Sequence, residues 1–241
     1  MRESVHPGRQ LLGRHDYPMR DRVFELASVV VFAAVSVRFV GRMRSAFPPL
    51  EALGVVRLCA LAWSALLVAD FLSGLVHFMC DNVGSADTPV VGRKFIKSFR
   101  DHHLDPEAMT RADFISVNAD NFAVCLPVLI PAALWLDVDR HFATAWFLAA
   151  LIGCVVITNQ AHQWAHMSDP PMVARLLQRT FLLSPDSHRV HHVAPHDQNY
   201  CITSGMLNPL LTRVDFWPKL LRALRHRHLA VGDPDRLTTD R

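Results

Sequence analysis

Between Phe142 and Ala161 the chain runs without one charged side chain, and three apolar blocks precede it: Val23 to Val40, Leu58 to Cys80 and Phe122 to Leu136. A helix rising about 1.5 Å per residue crosses a hydrocarbon core of about 30 Å in roughly 20 residues. The last block meets that length comfortably. The first barely does, with Glu25 and Arg38 near its ends, where long side chains reach the interface. The second is interrupted by Asp70 and His77. The third is short and contains Pro127 and Pro131, so a kink, a tilt or an extension through Asn118 to Asn121 is expected. Overall composition, 51% hydrophobic, is only moderately apolar; the segregation into blocks identifies a polytopic membrane protein. The expected organisation is a tail at 1–22, one domain over 23–230 and a polar C-terminal tail at 231–241. No signal-peptide pattern is present at the N-terminus.

The formal charge of +3 is small and dispersed, and no basic and aromatic stripe accompanies it, which argues against nucleic-acid binding. The five cysteines show no CxxC spacing and read as small buried hydrophobes, with Cys80 a remote ligand candidate near His77. No glycine-rich phosphate loop and no internal repeat is present.

Apart from His6, His15, His141, His226 and His228, every one of the 14 histidines belongs to a cluster. His188, His191 and His192 fall at i, i+3 and i+4, which stack on one helix face. His162 and His166 are one turn apart, with Asn159 a turn earlier, and His77 and Asp81 repeat the spacing. His102 and His103 are neighbours, splayed about 100° on a helix, which suits two different ions. His196 closes the series. A structural zinc takes about four ligands and a catalytic zinc three, so this set is too large for either. Imidazoles with a few oxygens suit a pair of irons with positions open to oxygen.

Four spans would put all the clusters on one side of the membrane. Of the 25 lysines and arginines, all but Arg38, Arg42, Arg44, Arg57 and Arg140 lie on that side. The positive-inside rule then turns the clusters to the cytoplasm. The expected fold is all-α, with about four transmembrane helices and a cytoplasmic histidine-rich di-iron cap, in a bacterial inner membrane. Asp70, costing about 2.5–3.5 kcal/mol near mid-membrane, needs a partner: either His77, two turns away, or an arginine. Asp215 to Leu229 alternates apolar residues with Lys219, Arg222, Arg225 and Arg227, the pattern of a helix lying in the interface.

The strings "ADFLSGLVHFMCDNVGS", "FIKSFRDHHLDPEAMTRADFISVNADN", "NQAHQWAH" and "SHRVHHVAPHDQNYCITSGMLN" resemble the plasmanylethanolamine desaturase family, from about Ala69 to Trp217. The resemblance implies a di-iron enzyme that uses molecular oxygen to place the vinyl ether double bond in the alkyl chain of an ether phospholipid. It carries over His77, Asp81, His102, His103, His162, His166, His188, His191, His192 and His196 as metal ligands or their immediate neighbours. Plastid desaturases that act on acyl chains share most of these motifs, so an acyl-lipid desaturase or a hydroxylase with the same centre is the alternative. Asn118, Asp120, Asn121, Asn159 and Asn208 are candidates for headgroup contacts or for helix caps. Without nucleotide, flavin or iron-sulfur motifs of its own, the chain requires a separate electron donor, a ferredoxin or cytochrome, docked on its basic face. A haem protein needs only two axial histidines and leaves the adjacent pairs idle; a metal transporter should hold its ligands at mid-membrane.

Overall fold

A computed structural model describes residues 19–49 and 51–226. His6, His15 and His228 and most of the two expected tails lie outside the described residues. Four long helices, α1 (Met19–Ser45), α2 (Ala52–Asn82), α4 (Phe114–Trp135) and α5 (Phe142–His166), are long and apolar enough to cross a membrane. Most of their side chains face outward, as they must where lipid is the solvent. Short helices complete the described chain: α3 (Lys97–Leu104), α6 (Met172–Leu177), α7 (Pro185–His191), α8 (Asn208–Arg213) and α9 (Phe216–His226). A π-helical turn, Gly92–Ile96, leads into α3, and a 3-10 turn, Pro106–Arg111, follows it.

Helix α1 packs on α4, α2 on α5, and α4 on α5. At one end Arg22 donates to Glu25 (3.1 Å) and to Asp113 (3.2 Å). Glu25 does not reach out to the interface, as its position near a block end suggests; it is buried beside Ser116. At the other end Trp146 donates Nε1 to the Leu58 carbonyl (2.9 Å), and an apolar cluster of Phe39, Met43, Leu129, Ala133 and Val138 closes the bundle.

Helix α4 begins eight residues before its apolar block because Asp113 caps it, accepting from the amides of Ile115 (3.0 Å) and Ser116 (3.1 Å). The helix runs through both Pro127 and Pro131. Its polar first turns are sheltered by a chain of amides. Asn118 donates to the Gln160 side chain (3.1 Å), Gln160 to Gln163 (2.7 Å), and Gln163 to the Met109 carbonyl (2.7 Å).

Asp70, wholly buried, pairs with neither His77 nor an arginine. Its carboxylate accepts the backbone amides of Ser204 (2.7 Å), Gly205 (2.8 Å) and Leu207 (3.1 Å). Charge-assisted bonds to three donors satisfy a carboxylate without a counter-ion. The turn needs Gly205, whose φ is +72°. Gly74 lets the same segment press onto α2: a Cβ there would lie 2.7 Å from Cys201 Sγ. The apolar face of α9 is likewise occupied by protein rather than by lipid alone. Phe216, Trp217, Leu220, Leu221 and Leu224 pack against Phe71, Leu75 and Phe78 of α2, leaving Lys219, Arg222 and Arg225 exposed.

Candidate metal centre

The last turns of α2 and α5 finish at the same end of the bundle, and α3 and α7 lie across that end. Two consequences follow from helix periodicity. His77 and Asp81 emerge on one face of α2, His162 and His166 on one face of α5, while the adjacent His102 and His103 of α3 point to different neighbours. Ser184 caps α7 by accepting the Ser187 amide (3.2 Å), with Pro185 in the first turn, which fixes the start of the segment carrying His188, His191 and His192.

The structure brings all but one of the expected residues into two adjoining groups. His102, His162, His166, His188 and His192 form the first, and His77, Asp81, His103 and His191 the second; within each, one ligand atom per residue lies within 4.8 Å of all the others. The rings of His103 and His192, one from each group, are 5.2 Å apart. The neighbours His102 and His103 thus part company, as does His191 from His188 and His192. His196 stands outside both groups, its ring 4.6 Å from that of His103 and its Nδ1 donating to the His191 carbonyl (2.8 Å). Cys80 belongs to neither group.

In the first group the Nε2 atom of His188 lies 2.8 Å from those of His162 and His166 and 3.0 Å from that of His192. A neutral imidazole presents one lone pair and one N–H, so four ring nitrogens facing inward cannot all be matched by protons. A bound ion resolves this. With metal–nitrogen bonds of about 2.1 Å, ligands at right angles stand about 3.0 Å apart, and the observed separations fit. In the second group Asp81 Oδ2 lies 3.0 Å from His103 Nε2 and 3.5 Å from the Nε2 atoms of His77 and His191. The Nε2 atom of buried His77 and the Oδ1 atom of Asp81 make no hydrogen bond.

The other ring nitrogens are held by backbone. His77 Nδ1 donates to the Tyr200 carbonyl (3.2 Å) and His191 Nδ1 to that of Gln198 (2.9 Å), so each ring turns its Nε2 toward the centre of its group. Sequence spacing gave no sign of these two carbonyls, because the contacts arise from an irregular segment. Burial, reinforced by the neighbouring imidazoles, holds His102, His188 and His192 well below the ordinary histidine range. They are neutral at pH 7, the form that binds metals. Two of the asparagines expected near the centre buckle α4 to α5, Asn121 donating to the Val155 carbonyl (2.8 Å) and Asn159 to that of Val117 (2.9 Å), while Asn208 donates to the Cys201 carbonyl (3.0 Å) in the irregular segment just before α8. Asp120 pairs with Lys94 (2.6 Å).

Four membrane-length helices carrying a buried, thiolate-free cluster of imidazoles at one end define an integral membrane protein with a histidine-rich metal-binding cluster. The lipid desaturase domain matches residues 66–229, and the chain belongs to that family. It is 40% identical over 205 residues to the plasmanylethanolamine desaturase of Myxococcus xanthus, covering 84% of this chain and 72% of that one. Mouse plasmanylethanolamine desaturase 1 is 42% identical over 186 residues, 71% of this chain and 64% of that protein. The chloroplastic fatty acid desaturase 4 of Arabidopsis thaliana is 36% identical over 155 residues, covering 46% of its length. No solved structure matches the chain.

Proposed function

We propose that this chain is an oxygen-dependent desaturase converting plasmanylethanolamine to plasmenylethanolamine, by placing the vinyl ether double bond in the alkyl chain of an ether phospholipid. The observation that carries the reading is the pair of adjoining buried ligand groups at the membrane boundary, in a chain 40–42% identical to two plasmanylethanolamine desaturases. His102, His162, His166, His188 and His192 would hold one iron; His77, Asp81, His103 and His191 would hold the other, with His196 beside them. When bound, two irons supply an oxidant, generated from molecular oxygen, strong enough to take hydrogen from an unactivated alkyl carbon. Two hydrogens leave the substrate; with two protons and two electrons from a separate ferredoxin or cytochrome, they convert one oxygen molecule to two waters.

The protein's own contribution is orientation and dryness. The Tyr200 and Gln198 carbonyls fix the rings of His77 and His191, and both rings are sealed from solvent. Exposed Arg213, Lys219, Arg222 and Arg225 give an acidic donor protein a basic surface near the centre. The excess of basic residues at the histidine end supports a cytoplasmic orientation, in a bacterial inner membrane.

The test is expression in a host that makes alkyl ether lipids but no plasmalogens. Mass spectrometry should detect new vinyl ether lipids with the wild-type chain and none with His191→Ala. The similarity to a chloroplastic fatty acid desaturase favours one second reading, an acyl-lipid desaturase, which would give new acyl double bonds instead. A hydroxylated chain in either lipid would overturn desaturation itself.

A further inference from the structure

At the end of the bundle away from the histidines, a cavity of about 380 Å³ opens between the last turns of α1 and the loop joining α4 to α5. Arg38 and Arg42, one helical turn apart on α1, line it together with Val37, Gly41 and Ser45, and Val138 and Asp139 line it from the loop. The arginines are anchored. Arg38 donates Nε to the Ala133 carbonyl (3.2 Å), and Arg42 gives Nη1 to the same carbonyl (3.0 Å) and Nη2 to that of Leu136. These carbonyls belong to the final turn of α4 and the residue that ends it, where no later helical turn supplies donors. The anchoring leaves the two terminal nitrogens of Arg38 without a hydrogen bond or ion pair among the described residues. Asp139 is also unpaired there, although it shares the cavity with two guanidinium groups.

Opposite charges that line one cavity and do not meet are suited to a ligand carrying both signs. A guanidinium offers phosphate a fork of donors, and a carboxylate matches an ammonium. The flank of α1 beside the cavity is apolar and exposed, with Val37 75% and Val40 58% accessible, so acyl chains have a surface to follow. We propose that this cavity binds the headgroup of a phosphoethanolamine lipid, phosphate on Arg38 and Arg42 and amine on Asp139, in the leaflet away from the histidines. This is a second lipid and not the substrate. The carbons that become the vinyl ether adjoin the glycerol, so a substrate headgroup lies at the histidine end, and about 24 Å of α1 separates Arg38 from Arg22 there.

Native mass spectrometry of the purified full chain, exchanged into equal amounts of phosphatidylethanolamine and phosphatidylglycerol, reads the site directly. The wild-type chain should retain phosphatidylethanolamine in preference. Asp139→Asn should shift the ratio toward phosphatidylglycerol at least fivefold, because it removes the amine's partner and keeps the phosphate's. Arg38→Gln should lower retention of both lipids at least fivefold. Glycerophosphoethanolamine at the same concentration, lacking chains, should displace neither; displacement would mean that a soluble phosphate compound is the ligand and would overturn a lipid site. Unchanged metal content in each variant certifies the fold. Equal retention of both lipids by all three proteins would overturn the proposal, and a failed desaturation assay would leave it standing.

Discussion

Leu129 of α4 and His162 of α5 lie on packed helices and are almost equally hidden, 2% and 5% exposed, yet they belong to two differently built halves of one bundle. Around Leu129 the contacts are apolar, with Phe39, Met43, Ala133 and Val138 as neighbours. Around His162 the buried groups are polar: Gln160, Gln163, Asn118, the Thr158–Thr203 hydroxyl pair (2.7 Å) and Asp70 with its three amides. In a bilayer, apolar surface gains little by moving from lipid to protein, so the first half rests on close packing, while the second rests on hydrogen bonds that lipid could not replace. The polar half is the one that tolerates no loose fit, since misplaced donors there are misplaced ligands.

The comparison breaks most severely at the ligands. His188→Ala should abolish desaturation and, by elemental analysis, lower the metal content of the purified protein; His191→Ala should do the same from the other group while the helices remain inserted. Asp70→Ala comes next. Three backbone amides lose their acceptor, at about 1 to 3 kcal/mol each where they stay dry, and the segment from 200 to 207 carries the carbonyl that orients His77. Thermal unfolding in detergent should drop and metal content should fall with it. Leu129→Ala should cost about 2 to 3 kcal/mol through the cavity it leaves. It should lower the unfolding temperature while the metal content of folded protein stays unchanged. Metal loss in Leu129→Ala, or its absence in Asp70→Ala, would show that the two halves are not separable in this way.

What the sequence disclosed follows the same division. Apolar runs and helical spacing are local properties, so the four spans, the gathering of His77, Asp81, His162 and His166 at one end, and the parting of His102 from His103 could be read residue by residue. The beginning of α4 at Phe114 was obscured because its first turns are polar, and they are shielded by glutamines from α5 some forty residues away. The partner of Asp70 lay beyond reach for a related reason. Backbone amides leave no trace in side-chain identity, and the turn that supplies them is more than a hundred and thirty residues downstream. Spacing also placed His196 close to its companions without revealing that its φ of +59° and its bond to the His191 carbonyl set it outside both groups.

The Asp70 clasp orders events in biogenesis. Its carboxylate enters the bilayer with α2, while the amides that quench it arrive only when Leu207 has left the ribosome, after every spanning helix has been translated. A nascent chain stopped short of that point carries a carboxyl group without its three amide donors and an unanchored His77. The support for His77 is thus among the last parts of the described chain to be made, since the segment that clasps Asp70 also carries the Tyr200 carbonyl.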